Sequence, residues 1–499
     1  MFAIISWITI KTIGEKVERK EENRLFSGSG RPSTSVFLLM KGVVRMYQFL
    51  LYLTGWPLAL LLFCGGVYFT VRLKFPQFRL FGESIRVVSE KPVSADATIS
   101  SFGALMISTA SRVGTGNIIG VSNAICVGGP GAVFWMWVTA ILGGASAFVE
   151  STLAQVYKKR DPNGQSYGGP AYYIEEALHS RALAIVFSLA LIACYGVGYN
   201  MLASYNLQSA FSGFAFYKPN QTPVIIGGAI ALLTLYCLIG GGQRIAKVTE
   251  ILVPGMGVLY VLLALMALMI NIRNVPAMFG MIFADAFNFR AIFGGFMGSC
   301  LMLGFKRGLY SNEAGIGSAP NAAAAADVSH PVKQGLVQML SVFIDTLLLC
   351  TATAFMALCS GVTPTEELAG APFIQESLLK TFGGAGPIFI AIAMLLFAFT
   401  TLLGNFYYIE NCFAYMLRRV PSRMFMNVVR VIGSILIFLG AVIQMGLAWD
   451  IADICQCILA LINIPVCVIL GGVRSVRWMT ISRRKRPERI RYSTRKTWA

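Results

Sequence analysis

Eleven stretches of this chain stay apolar over the roughly twenty residues that an α-helix needs to cross a hydrocarbon core. They lie at about 45–71, 98–127, 131–157, 183–211, 223–240, 248–271, 291–305, 335–360, 386–415, 424–447 and 450–472. Of the 499 residues 56% are hydrophobic and only 13% are charged, and the mean hydropathy is +0.67, so a water-soluble chain is excluded. The runs are continuous rather than alternating, which excludes a membrane β-barrel. The expected class is therefore an all-α polytopic membrane protein of about eleven transmembrane helices. Gly128-Gly129-Pro130-Gly131 and Gly240-Gly241-Gly242 mark tight turns between spans two and three and after span five.

The net charge of +18 would suggest nucleic acid in a soluble protein, and its distribution here points elsewhere. Lys and Arg concentrate in cytoplasmic loops of membrane proteins. With the C-terminal tail cytoplasmic, the inward loops and tail hold twenty-seven Lys and Arg, Lys306 and Arg307 among them. The outward loops hold four: Lys218, Arg273, Arg290 and Lys380. Residues 1–44 contradict this pattern and are expected to be an N-terminal extension from a mis-called start, with Met40 or Met46 as initiator. The basic tail from Arg483 reads as an anchor to anionic lipid rather than a nucleic-acid patch. All eleven cysteines fall in or beside apolar runs and only two histidines are present, so neither a disulfide framework nor a metal site is expected. No cofactor is expected.

Non-helical backbone at membrane depth is tolerated only where it lines a cavity or is buried in protein. Span two contains Ser111-Arg112-Val113-Gly114-Thr115-Gly116-Asn117. The spacing of Gly114, Gly116 and Gly120 lacks the strand context of a dinucleotide turn. Helix packing through a Gly116/Gly120 pair leaves Arg112, Thr115 and Asn117 unexplained. Span seven is short and interrupted in turn by Gly294-Gly295-Phe296-Met297-Gly298 and Gly304. With span one peripheral, spans two to six and seven to eleven become two inverted halves of five whose first helices are discontinuous. That is the sequence pointer to a secondary transporter's binding site. Free N–H groups at a broken helix attract a carboxylate and free carbonyls a cation. Thr400 and Thr401 add hard oxygen ligands, or bond back to their own helix. Arg112, Glu150, Asp345 and Glu410 are intramembrane charges, Arg112 read chiefly as an ion-pair partner that holds the break.

At these positions the chain resembles the alanine/glycine:cation symporter family, whose members share the leucine-transporter-like inverted repeat. The matching motifs are Val113-Gly114-Thr115-Gly116-Asn117-Ile118, residues 128–137, Gly168-Gly169-Pro170, and Arg307 to Gly315 continuing into Gly317-Ser318-Ala319-Pro320. The resemblance covers roughly residues 45–472. It implies that Thr115 and Gly116 meet the substrate carboxylate, with Asn117 beside them. It also implies a sodium site from main-chain oxygens near Ala110 and Val113, the Phe397 carbonyl and the Thr400 and Thr401 hydroxyls. Ala203 and Asn405 stand where the family's alanine carriers are expected to have bulkier residues. Space is thereby left for ligand or for a neighbour such as Phe296 or Met302.

The expected layout is an N-terminal extension at 1–44, a peripheral transmembrane helix at 45–71, inverted repeats at 98–271 and 291–472, and a basic cytoplasmic tail at 473–499. The expected function is import of a small neutral amino acid, alanine, glycine or glutamine, with sodium, by alternating access across a bacterial plasma membrane. Its partners are the amino acid, sodium and membrane lipid, with no nucleic acid and no enzyme chemistry. Two alternatives stay open: proton coupling, with Asp345 and Glu410 as the available groups, and an amino-acid receptor that does not transport.

Overall fold

The computed structural model describes residues 45–90, 99–160, 165–289, 299–443 and 445–481. Eight helices are long and apolar enough to cross a membrane: Arg45–Arg72, Ala132–Val156, Arg181–Ser209, Gly241–Ile270, Pro331–Cys359, Ala385–Leu417, Arg423–Val442 and Ala448–Gly471. Thr222–Leu238 is a shorter apolar helix. The remaining two spans are each built from two pieces, which brings the total to eleven among the described residues. They are numbered 1 to 11 in chain order below. The only described β-structure is the hairpin of Lys159–Arg160 with Ser166–Tyr167.

Span 2 begins at Ser101, where the Ser100 hydroxyl accepts the Gly103 N–H at 2.9 Å, and runs to Arg112. Gly114 then extends (φ −134°, ψ −160°), Thr115–Asn117 make one tight turn, and the helix resumes over Ile119–Gly128. Capping by a serine hydroxyl explains the start. The break is held by the Asn117 side chain, described below. At the far end Gly129, at φ +96°, turns the chain into span 3, and Asp285 Oδ2 accepts the Gly131 N–H at 2.8 Å.

Span 7 differs from the sequence expectation in position and in the place of its break. It runs over Cys300–Asn312, unwinds through Glu313–Ser318, and continues as Ala319–Ala325. Gly315 (φ +87°) and Gly317 (φ +84°) occupy the left-handed region, as does Glu313 at φ 52°, and only glycine enters that region without steric cost. Gly304, expected at the interruption, lies inside the first piece, where an added Cβ would meet Trp135 Cβ at 2.6 Å and Ala132 O at 2.7 Å. It serves close packing on span 3. Residues 294–298 lie outside the described residues. Lys306 and Arg307, expected in an inward loop, are instead part of the first half-helix of span 7. They leave the inward tally, which still exceeds the outward one several-fold.

Spans 3, 7 and 8 pack together, and spans 2, 6 and 9 form a second group. Span 10 packs on spans 4 and 5. Exposed Ile225, Leu232, Leu262, Met269, Val428 and Ile435 on spans 5, 6 and 10 give those helices apolar outer faces suited to lipid. The breaks in spans 2 and 7 are enclosed by this assembly, as an unwound backbone in a membrane requires.

Candidate substrate and cation site

The break in span 2 frees two carbonyls by diverting their donors. In a continuing α-helix the Gly114 N–H would bond Ala110 O and the Asn117 N–H would bond Val113 O. Instead Gly114 N–H donates to Asn117 Oδ1 at 2.9 Å, and Asn117 N–H donates to Gly114 O at 3.1 Å. Ala110 and Val113, both fully buried, thus present main-chain oxygens without ladder donors. Span 9 supplies the facing group. A Cβ built on Gly114 would sit 2.2 Å from Thr401 Oγ1, so this hydroxyl lies directly against the break. Thr401 Oγ1 is buried and has no hydrogen-bond partner.

Such an orphan is uncommon, because burying an unpaired hydroxyl costs about 1–3 kcal/mol. The adjoining Thr400 is not orphaned. Its hydroxyl donates back to Leu396 O at 3.0 Å and Phe397 O at 3.2 Å. That commits its proton and leaves its lone pairs for another ligand. The Phe397 carbonyl is correspondingly engaged by Thr400. Gly404 completes the contact: a Cβ there would lie 2.7 Å from Ser111 N.

The other expected residues divide clearly. Thr115 Oγ1 accepts from Asn206 Nδ2 at 3.0 Å. Gly116 lies under Tyr310, whose Cε1 would be 2.4 Å from an added Cβ. Asn117, whose Oδ1 holds the Gly114 N–H, donates from Nδ2 to Asp345 Oδ1 at 2.7 Å. Ala203 is buried on span 4, one helical turn from Asn200 and one from Asn206, on the face those residues present to span 9 and to the break. Asn405 is fully buried and already bonded on both sides: Ser111 Oγ donates to its Oδ1 at 2.7 Å, and its Nδ2 donates to Asn200 Oδ1 at 2.9 Å. The free amide atoms nearby are Asn200 Nδ2 and Asn206 Oδ1. Met302 is not brought to this place. It packs with Ala59 of span 1 and Phe305, beside Trp56 and Trp135. Phe296 lies outside the described residues.

An aromatic wall went unread in the sequence. Tyr310 meets Tyr199 and Trp449 with ring centroids 4.9 Å apart in each case, and Tyr195 joins Tyr199 at 4.9 Å and Tyr408 at 5.3 Å. Tyr310 was visible inside the Arg307–Gly315 motif. Asn206 and Trp449 had no local signal.

The intramembrane charges are mostly structural in their contacts. Glu150 on span 3 accepts the Gly315 and Gly317 N–H groups at 3.3 and 3.1 Å and Asn463 Nδ2 at 2.7 Å, which pins the turn of span 7. Glu313 accepts from Ser318 at 2.7 Å, and Ser111 Oγ lies 3.3 Å from its other oxygen. Asp345 accepts from Asn117, Ser311 and Thr346 at 2.7 Å each. Glu410 pairs with Arg430 at 3.4 Å, away from the breaks. Arg112, expected in an ion pair, has none within 4 Å among the described residues. Its Nη1 reaches Gln338 Oε1 at 3.3 Å, while Nε and Nη2 are unpartnered.

Two discontinuous helices inside a polytopic α-bundle, with free carbonyls at the break of span 2 and an orphan hydroxyl of span 9 against it, define a secondary transporter rather than an enzyme. The chain belongs to the sodium:alanine symporter family, whose model matches residues 39–489. It is 44% identical to the amino-acid carrier protein AlsT of Bacillus subtilis over 409 residues, 82% of this chain and 85% of that one. It is 42% identical to the probable sodium/glutamine symporter GlnT of the same organism, over 83% and 86% of the two chains. The sodium/alanine symporter AgcS of Methanococcus maripaludis is 38% identical, over 84% and 92%. In fold the chain is similar to MhsT, solved in complex with L-phenylalanine, at a TM-score of 0.54 and 17% identity, covering 77% of this chain and 90% of that one. The protein is thus a multi-pass membrane carrier of the amino-acid–cation symport class.

Proposed function

We propose that this chain imports a small neutral amino acid together with sodium by alternating access, with the face on which span 11 ends turned to the cytoplasm. The observation that carries the reading is the orphan Thr401 hydroxyl at Gly114, beside the Ala110 and Val113 carbonyls that the break sets free. Neutral oxygen ligands suit a hard monovalent cation, and among the described residues no carboxylate touches the Thr401 hydroxyl to hold a proton in its place. Sodium is here a co-transported ion, with Thr400 lone pairs and the Phe397 carbonyl as further ligands. The substrate carboxylate is assigned to the N–H groups at Thr115 and Gly116, where the second half of span 2 begins.

Alanine, glycine and glutamine are the proposed substrates. Relatives named for alanine and for glutamine are about equally similar to this chain. Glutamine is favoured by Asn200 Nδ2 and Asn206 Oδ1, a free donor and a free acceptor one turn either side of Ala203, matched to a side-chain amide. The domain layout follows the breaks: a peripheral span 1, then repeats of spans 2–6 and 7–11. Purified protein in liposomes should accumulate labelled alanine and glutamine under an inward sodium gradient. Equal uptake with choline in place of sodium would refute the coupling.

A further inference from the structure

Between spans 1 and 2 the chain makes an elbow that takes no part in the site just described. Span 1 ends at Arg72. Lys74 and Phe75 then adopt left-handed backbone, at φ 57° and 56°, a conformation that residues other than glycine rarely take. Side chains on both sides of the bend hold it. Buried Gln77 donates from Nε2 to Thr70 Oγ1 at 2.7 Å and to Ile141 O of span 3 at 2.9 Å, and Arg79 Nη2 donates to Leu73 O at 3.2 Å. A short helix, Phe81–Val88, follows. Its Phe81 ring lies 6.0 Å from that of Phe343 on span 8, and Glu90 just beyond it pairs with Lys333 at the start of span 8. The elbow is thus a fixed part of the fold, braced on spans 3 and 8.

Leu73, Gln77 and Val87 face the protein. The opposite face carries Phe75, Phe78, Phe81 and Ile85, all exposed, Phe78 by 67%. Among these rings stand Arg72, Lys74 and Arg79, exposed as well. No acidic residue lies between Arg72 and Phe81, and the next one, Glu83, is taken by Arg86, whose Nε donates to it at 2.9 Å. The patch is therefore apolar and cationic at once.

Its depth selects the partner. Spans 1 and 11 are both odd-numbered and cross in the same direction, and their ends lie together: a Cβ built on Gly471 would sit 3.3 Å from Phe69 Cε1. The elbow accordingly opens on the face assigned to the cytoplasm, immediately beyond the point where span 1 leaves the hydrocarbon. Rings interleaved with cations at that level match a lipid monolayer, with the rings at the acyl boundary and the cations among the phosphates. A soluble acidic protein would pair with the cations and not reach the rings.

We propose that this elbow, residues 72–85, is a binding site for an anionic phospholipid of the cytoplasmic leaflet. Arg72, Lys74 and Arg79 hold the headgroup phosphate, and the acyl chains lie against Phe75 and Phe78. The inference needs a chain that sits in a membrane, and it does not depend on which amino acid or ion is carried.

The test uses the full chain in a neutral detergent, titrated with dioleoylphosphatidylglycerol or dioleoylphosphatidylcholine while the thermal midpoint is followed. Phosphatidylglycerol should raise the wild-type midpoint at a lower mole fraction than phosphatidylcholine does. One cation beside anionic lipid is worth about fivefold in affinity, so Lys74→Gln should raise the half-effective phosphatidylglycerol fraction by about that factor. Lys74→Arg keeps the charge and should stay within about twofold of wild type. Combining Arg72→Gln, Lys74→Gln and Arg79→Gln should reduce the response to that of phosphatidylcholine, and Lys74→Gln decides alone if the triple variant does not fold. Replacing Arg483, Arg484, Lys485 and Arg486 of the basic tail by Gln should leave the preference in place. The inference is overturned if the wild type shows no preference, if the elbow variants keep it, or if the tail variant loses it instead. It is equally overturned if glycerol phosphate, which has no acyl chains, shifts the midpoint as far as the lipid. Failure of the transport reading looks different: the protein would show the lipid preference and move no amino acid.

Discussion

Replacing Gly114 by Ala isolates the proposed cation site from backbone effects. Gly114 sits at φ −134° and ψ −160°, a conformation open to any L-residue, so the methyl adds no dihedral strain. It adds a collision. The new Cβ would lie 2.2 Å from Thr401 Oγ1, 3.3 Å from Thr401 Cβ and 3.4 Å from Cγ2, and only the first of these is intolerable. The hydroxyl must move by roughly 1 Å to restore ordinary contact, which takes it out of any geometry shared with the Ala110 and Val113 carbonyls. Losing one polar ligand of this kind costs about 1–3 kcal/mol, or about fivefold to 150-fold in the sodium concentration for half-maximal uptake. Thr401→Ala should cost a similar amount by removing the hydroxyl outright. In the double variant the new methyl faces only the Cβ that remains at position 401, near 3.3 Å, so Gly114→Ala should cost almost nothing further. The assay is sodium activation of alanine uptake in liposomes across the four members of a double-mutant cycle. Multiplying penalties in the double variant would show that Gly114 and Thr401 act separately, and the reasoning would fail.

Other substitutions follow from the same contacts. Ala203→Gln combined with Asn405→Trp should narrow uptake towards alanine and glycine, read by competition with unlabelled glutamine; undiminished glutamine competition would contradict the assigned space. Glu150→Gln leaves at least one of the Gly315 and Gly317 N–H groups without its acceptor and should cost about 1–3 kcal/mol, seen as a lower thermal midpoint in detergent. At the end of span 3, burial and then the Arg160 charge bring the Lys158 ammonium down to about 8 from 10.5. The unfolded chain then holds the extra proton between those values, so stability should rise as pH climbs through that window. Lys158→Met should flatten the rise in thermal midpoint.

The eleven spans and the break in span 2 were legible because continuous apolar runs and the Gly114–Asn117 motif are local signals. The break in span 7 was not. Its polar turn, Asn312-Glu313 onward, dilutes the hydropathy of both half-helices, so the apolar run stops near residue 305 although the helix continues. Lys306 and Arg307 read as loop cations for the same reason. Their partner Asp453 is on another span, and only the fold shows that the charge is paired. The threonine pair was legible as a source of oxygen ligands. Successive helical residues point about 100° apart, however, and only packing decides that Thr401 meets Gly114 while Thr400 bonds back to its own helix. Asn405 shows the opposite failure: in the sequence it stands for space left to a ligand, yet its amide is already bonded to Ser111 and Asn200.

Sodium dependence of concentrative uptake tests the central claim most directly. Liposomes holding the purified protein, loaded without sodium and diluted into labelled alanine at fixed pH, should accumulate it above the external concentration when the outer cation is sodium. With choline outside they should only equilibrate. Accumulation that persists in choline, or that follows an imposed pH gradient without sodium, would contradict a sodium-coupled carrier built on the Thr401 site.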